Sequence, residues 1–520
     1  MSLIRSTLVV SIAISISRIF GFVRDMLIAR YLGAGMLSDA FFAAFRLPNF
    51  FRRIFAEGAF NNCFVPIFID KLNKSKQQED SIDNNQAVIF AHNIFSLLFY
   101  ILLIFIIMMQ IFMPQIINIL FPGFANNSDK MTLTINLSRI TIFYLLFIAL
   151  VSLFSGILNS LNKFFVASTA PIILNLTLIL MMLFAIDFFP DYANLLAWSV
   201  MIAGILQFLW LFIFTVKNKF LLYPKIPKID VDIKKFLKRL LPAIIGANVM
   251  QINLLVDSIF ASAISGAVSY LYYADRINQL PLAMIGIALS VALLPNLANK
   301  IKQDKIDDAI KIQNIAFEIA LILAIPITII LIIFAHPIIT NLFERGNFGN
   351  SESIAVSKAL MLYSCGLPSF ILVKIFEPNF FARGNSKTPM QIAIFCVITN
   401  ILLNIIFHYL ELGYQGIILA AIISSYVNLL LLVTILLKNN DFYFNKIFIK
   451  HLPKLGFSCL ITFIIAIILK ENFYQNYLVN INNFARFCLL IANLLLIIII
   501  NLIILYYSGI LDIVRNIKKK

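Results

Sequence analysis

Ile94-Phe95-Ser96-Leu97-Leu98-Phe99-Tyr100-Ile101-Leu102-Leu103-Ile104-Phe105-Ile106-Ile107 carries a side-chain polar atom only at Ser96 and Tyr100, and Leu489 to Ile500 only at Asn493. Lipid offers no hydrogen bonds, so only helices and closed barrels span it. A barrel strand alternates apolar and polar residues over about 10 positions, and these runs do not alternate. They read as membrane helices. The whole chain agrees: 61% of its 520 residues are hydrophobic and 13% are charged, far too apolar for an average soluble domain.

A spanning helix needs ~20 mostly apolar residues. Such runs predict an all-α polytopic membrane protein with about fourteen spans, near 5–31, 37–69, 86–112, 131–153, 156–186, 193–216, 236–262, 268–299, 310–334, 354–377, 388–409, 413–437, 447–470 and 485–509. Lys and Arg collect in cytoplasmic loops. With the N-terminus inside, the inner segments hold most of the basic residues, including the dense stretch from Lys217 to Arg239, and only Lys130, Arg139, Arg345, Lys470 and Arg486 fall outside. Both termini are therefore expected in the cytoplasm. The net charge of +16 reads as topology plus attraction to anionic headgroups, and no nucleic-acid motif accompanies it. Ser6 to Ile16, with Ala13 and Ser15, has the outline of a signal peptide; cleavage there would strand the Arg18 to Arg24 region, so the segment is read as a retained first helix. Cys63, Cys365, Cys396, Cys459 and Cys488 show no CxxC spacing and are expected as free thiols.

The chain repeats itself. Gly33-Ala34-Gly35, Ser38 and Arg46-Leu47-Pro48 correspond to Gly266-Ala267, Ser269 and Arg276, followed by Leu280-Pro281. Internal repeats enclosing a central site are common in transporters. The expected organisation is a six-helix bundle over 1–217, a basic cytoplasmic linker over 218–235, a second six-helix bundle over 236–440, and a two-helix hairpin with a basic tail over 441–520.

Charge inside the first two helices points to function. Arg18, Arg24, Arg46, Arg52 and Arg53 lie in apolar surroundings, where a charge at the bilayer centre costs roughly 2.5–3.5 kcal/mol. They imply a wet, protein-lined interior. At about 100° per residue, Arg18 shares a face with Asp25, Ser17 shares one with Arg24, and Asp39, Arg46 and Arg53 form a stripe, with Glu57 one turn beyond Arg53. Structural ion pairs with Asp25, Asp39 and Glu57 are the plain alternative, but the arginines outnumber these acids. An anionic cargo restores the balance. Arginine's planar fork suits phosphate or diphosphate, with a carboxylate as the less demanding choice. Pro48 is expected to kink and interrupt the second helix near its middle, and Pro48 and Pro281 are candidate hinges.

Ser17-Arg18-Ile19-Phe20-Gly21-Phe22-Val23-Arg24-Asp25, Ser38-Asp39-Ala40-Phe41-Phe42, Leu47-Pro48-Asn49, Arg52-Arg53-Ile54-Phe55-Ala56-Glu57-Gly58-Ala59-Phe60 and Tyr273-Ala274-Asp275-Arg276 closely resemble the MurJ (MviN) lipid II flippase family of the multidrug/oligosaccharidyl-lipid/polysaccharide exporter superfamily. The resemblance implies movement of the undecaprenyl-diphosphate-linked peptidoglycan precursor from the inner to the outer leaflet of a bacterial cytoplasmic membrane, without covalent chemistry. It assigns Arg18, Arg24, Arg52 and Arg276 to the diphosphate, with Ser17, Asp25, Asp39, Arg53, Glu57 and Asp275 around the cavity or its gates. It makes the last two helices either a groove for the lipid tail or an anchor.

Some family members carry a cation site. Asp257, Asn400 and Asn404 match its positions, with asparagine at 404 where aspartate is expected, so the resemblance leaves either a monovalent cation such as Na+ or the membrane potential as driver. Asp257 reads equally well as a buried partner of Asn253 or Asn248. A cation-coupled drug or polysaccharide-lipid exporter of the same superfamily is the alternative function, opposed by the arginine excess. An intramembrane enzyme lacks its catalytic set: His92, His336, His408 and His451 are isolated. No resident cofactor is expected. The protein is expected as a monomer, with cell-wall synthesis proteins as possible associates.

Overall fold

The computed structural model describes the backbone of residues 3–56, 59–77, 86–474 and 482–509; side chains at 3–9, 53–56, 59, 62, 75–77, 239, 241–251, 446, 447, 449, 472–474 and 483 are not described. Every regular element among these residues is helical. The chain divides into two compact units, residues 1–269 and 270–520.

The first unit contains α1 (Leu3–Leu32), α2 (Met36–Ala56), α3 (Ala59–Gln77), α4 (Gln86–Leu120), α5 (Ser128–Thr141), α6 (Tyr144–Ser160), α7 (Phe164–Phe184), α8 (Tyr192–Lys217), α9 (Val231–Ser262) and the start of α10 (Ala267–Pro281). Side-chain oxygens cap the orphan amides at several helix starts. Asn127 accepts from Lys130 N at α5, Asp191 from Asn194 N at α8 and Asp230 from Ile233 N at α9. Left-handed residues reverse the chain: Gly33 (φ 68°) before α2 and Gly266 (φ 76°) before α10. α1 lies along α7, α2 packs on α5 and α6, and α6 packs on α8. Stacked and edge-on phenylalanines, Phe60, Phe64, Phe68, Phe90 and Phe236, join α3, α4 and α9 at centroid spacings of 5.3–5.6 Å. Ser96, the polar interruption in the opening run, accepts from the backbone N–H of Lys225 and seats the basic linker on α4.

The second unit continues α10 through a π-helical turn (Leu282–Ile287) into α11 (Ala288–Lys302), then α12 (Ile306–Ile333), α13 (Ala335–Phe343), α14 (Asn350–Ala382), α15 (Lys387–Tyr409), α16 (Gly413–Lys438), α17 (Lys446–Ile468) and α18 (Asn483–Tyr507). α14 packs against α12 and α16; α17 pairs with α18 and lies along α12. In lipid, interhelical hydrogen bonds supplement van der Waals packing. Buried Asn501 on α18 donates to Ser458 Oγ (2.9 Å) and Thr462 Oγ1 (2.7 Å) on α17.

Eleven helical stretches are long and apolar enough to cross a membrane. They coincide with the third to sixth and eighth to fourteenth expected spans. The other three expected spans are also helical, as α1, as α2 with α3, and as α9. Charge explains two of these differences: α1 and α2 hold the arginines and acids that lower their apolarity. In α9 the apolar described stretch is Ile252–Ser262. Two local expectations need correction. α2 is helical without interruption from Met36 to Ala56, through Pro48, because a single missing N–H is tolerated where neighbouring helices pack. Pro281, by contrast, leads directly into the π-helical turn.

Candidate functional site

Two buried polar networks and a cavity organise the first unit. The first network centres on Arg24, 6% exposed, and Asp25, 3% exposed. Arg24 Nε and Nη2 both donate to Asp25 Oδ1 (3.1 and 2.7 Å), while Nη1 donates to Asn175 Oδ1 on α7 (2.9 Å). Asn175 Nδ2 in turn donates to the carbonyl oxygen of Ser17 (2.9 Å). Gly21 permits this approach of α1 to α7, since a Cβ there would lie 3.3 Å from Asn175 Nδ2. Helical spacing placed Ser17 beside Arg24, and the intervening asparagine is what joins them. Arg18, expected on the same face as Asp25, is exposed; Asp25 is engaged by its sequence neighbour. Asn175 went unnoticed as a site residue, though a lone amide between Leu174 and Leu176 is the signal that polar residues in spanning helices usually give.

The second network centres on Asp39, fully buried in α2. Its Oδ2 accepts from Lys130 Nζ (2.6 Å) and Gly266 N (2.9 Å); its Oδ1 accepts from Ser269 N (2.9 Å) and Ser269 Oγ (2.6 Å). The carboxylate thus sits where the first turn of α10 presents orphan amides and positive dipole charge. Ser269 Oγ also lies 2.9 Å from Ser38 Oγ, so two serines at matching positions of the internal repeat meet. Lys130, read from sequence as an outer-loop residue, is 7% exposed and lies 4.1 Å from the Phe124 ring centroid. Close by, Gly123 N donates to Ser262 Oγ. A Cβ on Gly123 would fall 2.3 Å from the backbone of Ala263.

Arg52 Nε donates to Asn49 Oδ1 (2.8 Å), one helical turn back. Arg52 also lines a cavity of about 440 Å³ within the first unit, with Tyr144 and Gln207 on its wall. Of the remaining expected cavity residues, Arg53 (by its side chain) and Glu57 lie outside the described residues.

In the second unit Arg276 Nη2 donates to Tyr272 OH (2.9 Å), and its guanidinium carbon lies 4.9 Å from that ring's centroid. Asp275 accepts from Gln279 Nε2. Asp257, 7% exposed, belongs to the first unit; Asn400 and Asn404 belong to the second and are buried together, with Asn404 Nδ2 donating to Asn400 Oδ1 (3.0 Å). Among the described residues no cluster of three or more His, Cys, Asp or Glu side chains has metal-binding geometry.

Comparison with known proteins completes the picture. Residues 28–488 match the family described as lipid II flippase MurJ. The probable lipid II flippase MurJ of Rickettsia prowazekii (strain Madrid E) is 38% identical over 480 residues, covering 92% of each chain. A solved structure of a lipid II flippase MurJ in an inward closed conformation aligns with 97% of this chain and 100% of its own, at 28% identity and a TM-score of 0.77. An inward-facing multidrug resistance MATE family transporter of the MOP superfamily aligns with 82% of this chain and 96% of its own at 16% identity and a TM-score of 0.63, a likeness of fold.

Proposed function

This chain belongs to the lipid II flippase MurJ family, and on that premise we propose how it works as a lipid II flippase. It is a multi-pass protein of the bacterial inner membrane, and a transporter: its substrate is moved between leaflets with no bond made or broken. The proposed topology has fourteen spans, arranged as two six-helix bundles and a C-terminal hairpin, with both termini cytoplasmic.

Arg18, Arg24, Arg52 and Arg276 are proposed to grip the diphosphate. The observation that carries this reading is the charge balance of α1 and α2. The arginines of α1 and α2 outnumber the acids of these helices, Asp25 and Asp39, and Asp39 is already paired with Lys130 from α5, so the two helices carry a net positive charge. An arginine cannot shed its charge. A doubly anionic headgroup restores neutrality, whereas a cationic drug would aggravate the excess, which disfavours the drug-exporter alternative.

Transport is proposed to follow alternating access, the arginines holding the bundles apart by repulsion until bound diphosphate lets them close, with Ser17, Asp25, Asp39, Arg53, Glu57 and Asp275 around the cavity and the Pro48 and Pro281 regions as hinges. The membrane potential is the proposed drive, with a monovalent cation at Asp257, Asn400 and Asn404 as the alternative; asparagine at 404 in place of aspartate lowers the charge of that site. The hairpin is proposed to hold the lipid tail, and the protein to act as a monomer.

The test is translocation of fluorescent lipid II across reconstituted vesicles under an imposed potential. Natural chain, Arg52→Ala, Arg24→Ala/Arg276→Ala and protein-free vesicles are compared, with melting curves to confirm folding. Movement that survives in the folded double variant would refute the assignment of the arginines.

A further inference from the structure

The seam between α12 and the C-terminal hairpin holds one pair of ionisable groups in apolar surroundings. At one end of the seam Phe317 on α12 packs on Phe444 and Phe448, at centroid spacings of 5.7 and 5.0 Å. Farther along, Ile322 on α12, Leu455 on α17 and Leu505 on α18 form a buried cluster, with Ile325 and Cys459 against it. Between these layers stand Glu318, one turn before Ile322, and His451, one turn before Leu455. Glu318 is 5% exposed, and its Oε2 lies 3.8 Å from His451 Nδ1. That nitrogen is buried and has no hydrogen-bond partner among the described residues. Asn314, one turn before Glu318, donates to the carbonyl oxygen of Tyr443 (2.9 Å) and accepts from Asn445 N (3.1 Å). The chain entering α17 is thereby tied to α12, which holds the carboxyl and the imidazole face to face.

The other charges on the helices around this pair are engaged elsewhere or exposed. At the start of α12, Asp308 pairs with Lys300 of α11 and with Lys311, and Asp307 accepts from Tyr443 OH. On α14, Lys374 pairs with Glu377 and Arg383 with Asp441, while Lys358 is exposed. His336 of α13 lies beside Ser357, and Arg486 is at the far end of α18. On α17 itself Lys450 is exposed and Lys454, one turn from His451, donates to the carbonyl oxygen of Ser508. A carboxyl and an imidazole in contact titrate as one unit. With one proton between them the pair is neutral overall. With none, a lone carboxylate is left in an apolar seam; with two, a lone imidazolium is left there, and either is unfavourable when buried. We propose that Glu318 and His451 form a proton-binding site that latches the hairpin to α12. One bound proton holds the seam shut; its loss as pH rises, or the gain of a second as pH falls, loosens it. The site lies where Lys446, Lys450 and Lys454 gather, the end of α17 proposed to be cytoplasmic, so it answers to cytoplasmic pH. The latch does not depend on the diphosphate reading above.

Spin-label distances in the full-length protein, reconstituted in lipid nanodiscs, test the latch. Nitroxides are placed at exposed positions on the two sides of the seam, Lys311→Cys on α12 and Leu460→Cys on α17, after the five natural cysteines are replaced by alanine. In this chain, with Glu318 and His451 intact, the ratio of open to closed distances should rise roughly tenfold per pH unit once the shared proton leaves, the slope of one released proton. Glu318→Gln has no carboxylate to strand, so it should lose the opening at high pH and keep the opening at low pH. His451→Gln leaves the carboxylate without its partner, so its opening should begin at lower pH than in the intact pair. Opening at high pH that persists in Glu318→Gln places the titration elsewhere and overturns the proposal. Melting curves confirm that each variant folds. Should a variant fail to fold, the intact pair decides: distances unchanged from about pH 4 to 9, a range spanning the ordinary carboxyl and imidazole values, overturn the latch.

Discussion

Replacing Asp39 with asparagine changes one oxygen for an amide in a pocket where both oxygens already accept two donors each. In either orientation of the new amide at least one N–H faces another, and Lys130, 7% exposed, loses its counter-charge. Breaking a buried ion pair by removing one partner costs roughly 3–5 kcal/mol, whereas replacing both partners with neutral groups is often nearly neutral. The cation–π contact of Lys130 with Phe124 offsets about 0.5–2 kcal/mol of that loss. Asp39→Asn should therefore destabilise the first unit by about 2–4 kcal/mol, which at roughly 2 °C per kcal/mol for a unit of this size is a melting shift on the order of 4–8 °C. Lys130→Met should do at least as much, because the uncompensated carboxylate is fully buried. The double variant should recover most of the loss. Chemical denaturation and thermal melting in one detergent, run as a double-mutant cycle, measure the coupling directly. Additive losses in the double variant, or singles within about 0.5 kcal/mol of the natural chain, the range of ordinary surface changes, would refute the argument that charge holds this node together.

Gly123→Ala should be among the most damaging single changes, because its Cβ would meet backbone atoms of Ala263 at 2.3 Å that no rotamer change can clear; melting should fall by more than the ~1–3 kcal/mol typical of overpacking. Asn175→Leu removes the bridge between Arg24 and Ser17 and should cost about 1–3 kcal/mol, visible as faster hydrogen exchange along α1 and α7; unchanged exchange contradicts the bridging role. Asn501→Leu should loosen α17 from α18 by only about 0.6–1.7 kcal/mol, the measured scale of hydrogen bonds between membrane helices, seen as increased proteolysis near the hairpin without a change in global melting.

The membrane helices were legible because lipid imposes one rule on every residue of a span, and apolar runs such as Ile94 to Ile107 obey it without ambiguity. Helical phase correctly set Ser17 near Arg24. It also put Arg18 on the face of Asp25, but spacing along one helix cannot foresee that a long guanidinium folds back onto its own neighbour, as Arg24 does onto Asp25. The burial of Lys130 was not legible, because it lies at the start of a helix: loop-like charge in sequence becomes buried charge when α2 brings a carboxylate to it. Ser38 and Ser269 were flagged as repeat positions, yet contact between them depends on the turn at Gly266, a tertiary fact. The polar wall of the cavity is drawn from five helices, among them Arg52 on α2, Asn61 on α3, Tyr144 and Asn159 on α6 and Gln207 on α8, and their convergence has no linear pattern to read.

Arg24 presents all three guanidinium nitrogens to groups of the protein itself. An anion drawn to it would meet a cation whose charge is already shared with Asp25 and Asn175, and would compete with them for its N–H groups. Affinity is lowered by the strength of the contact displaced, and when the anion departs the same carboxylate is one residue away to take its place. On the proposed role of Arg24, a resident competitor of this kind would keep anion binding reversible, sparing the protein the trap that an unopposed guanidinium would set for a multiply charged ligand.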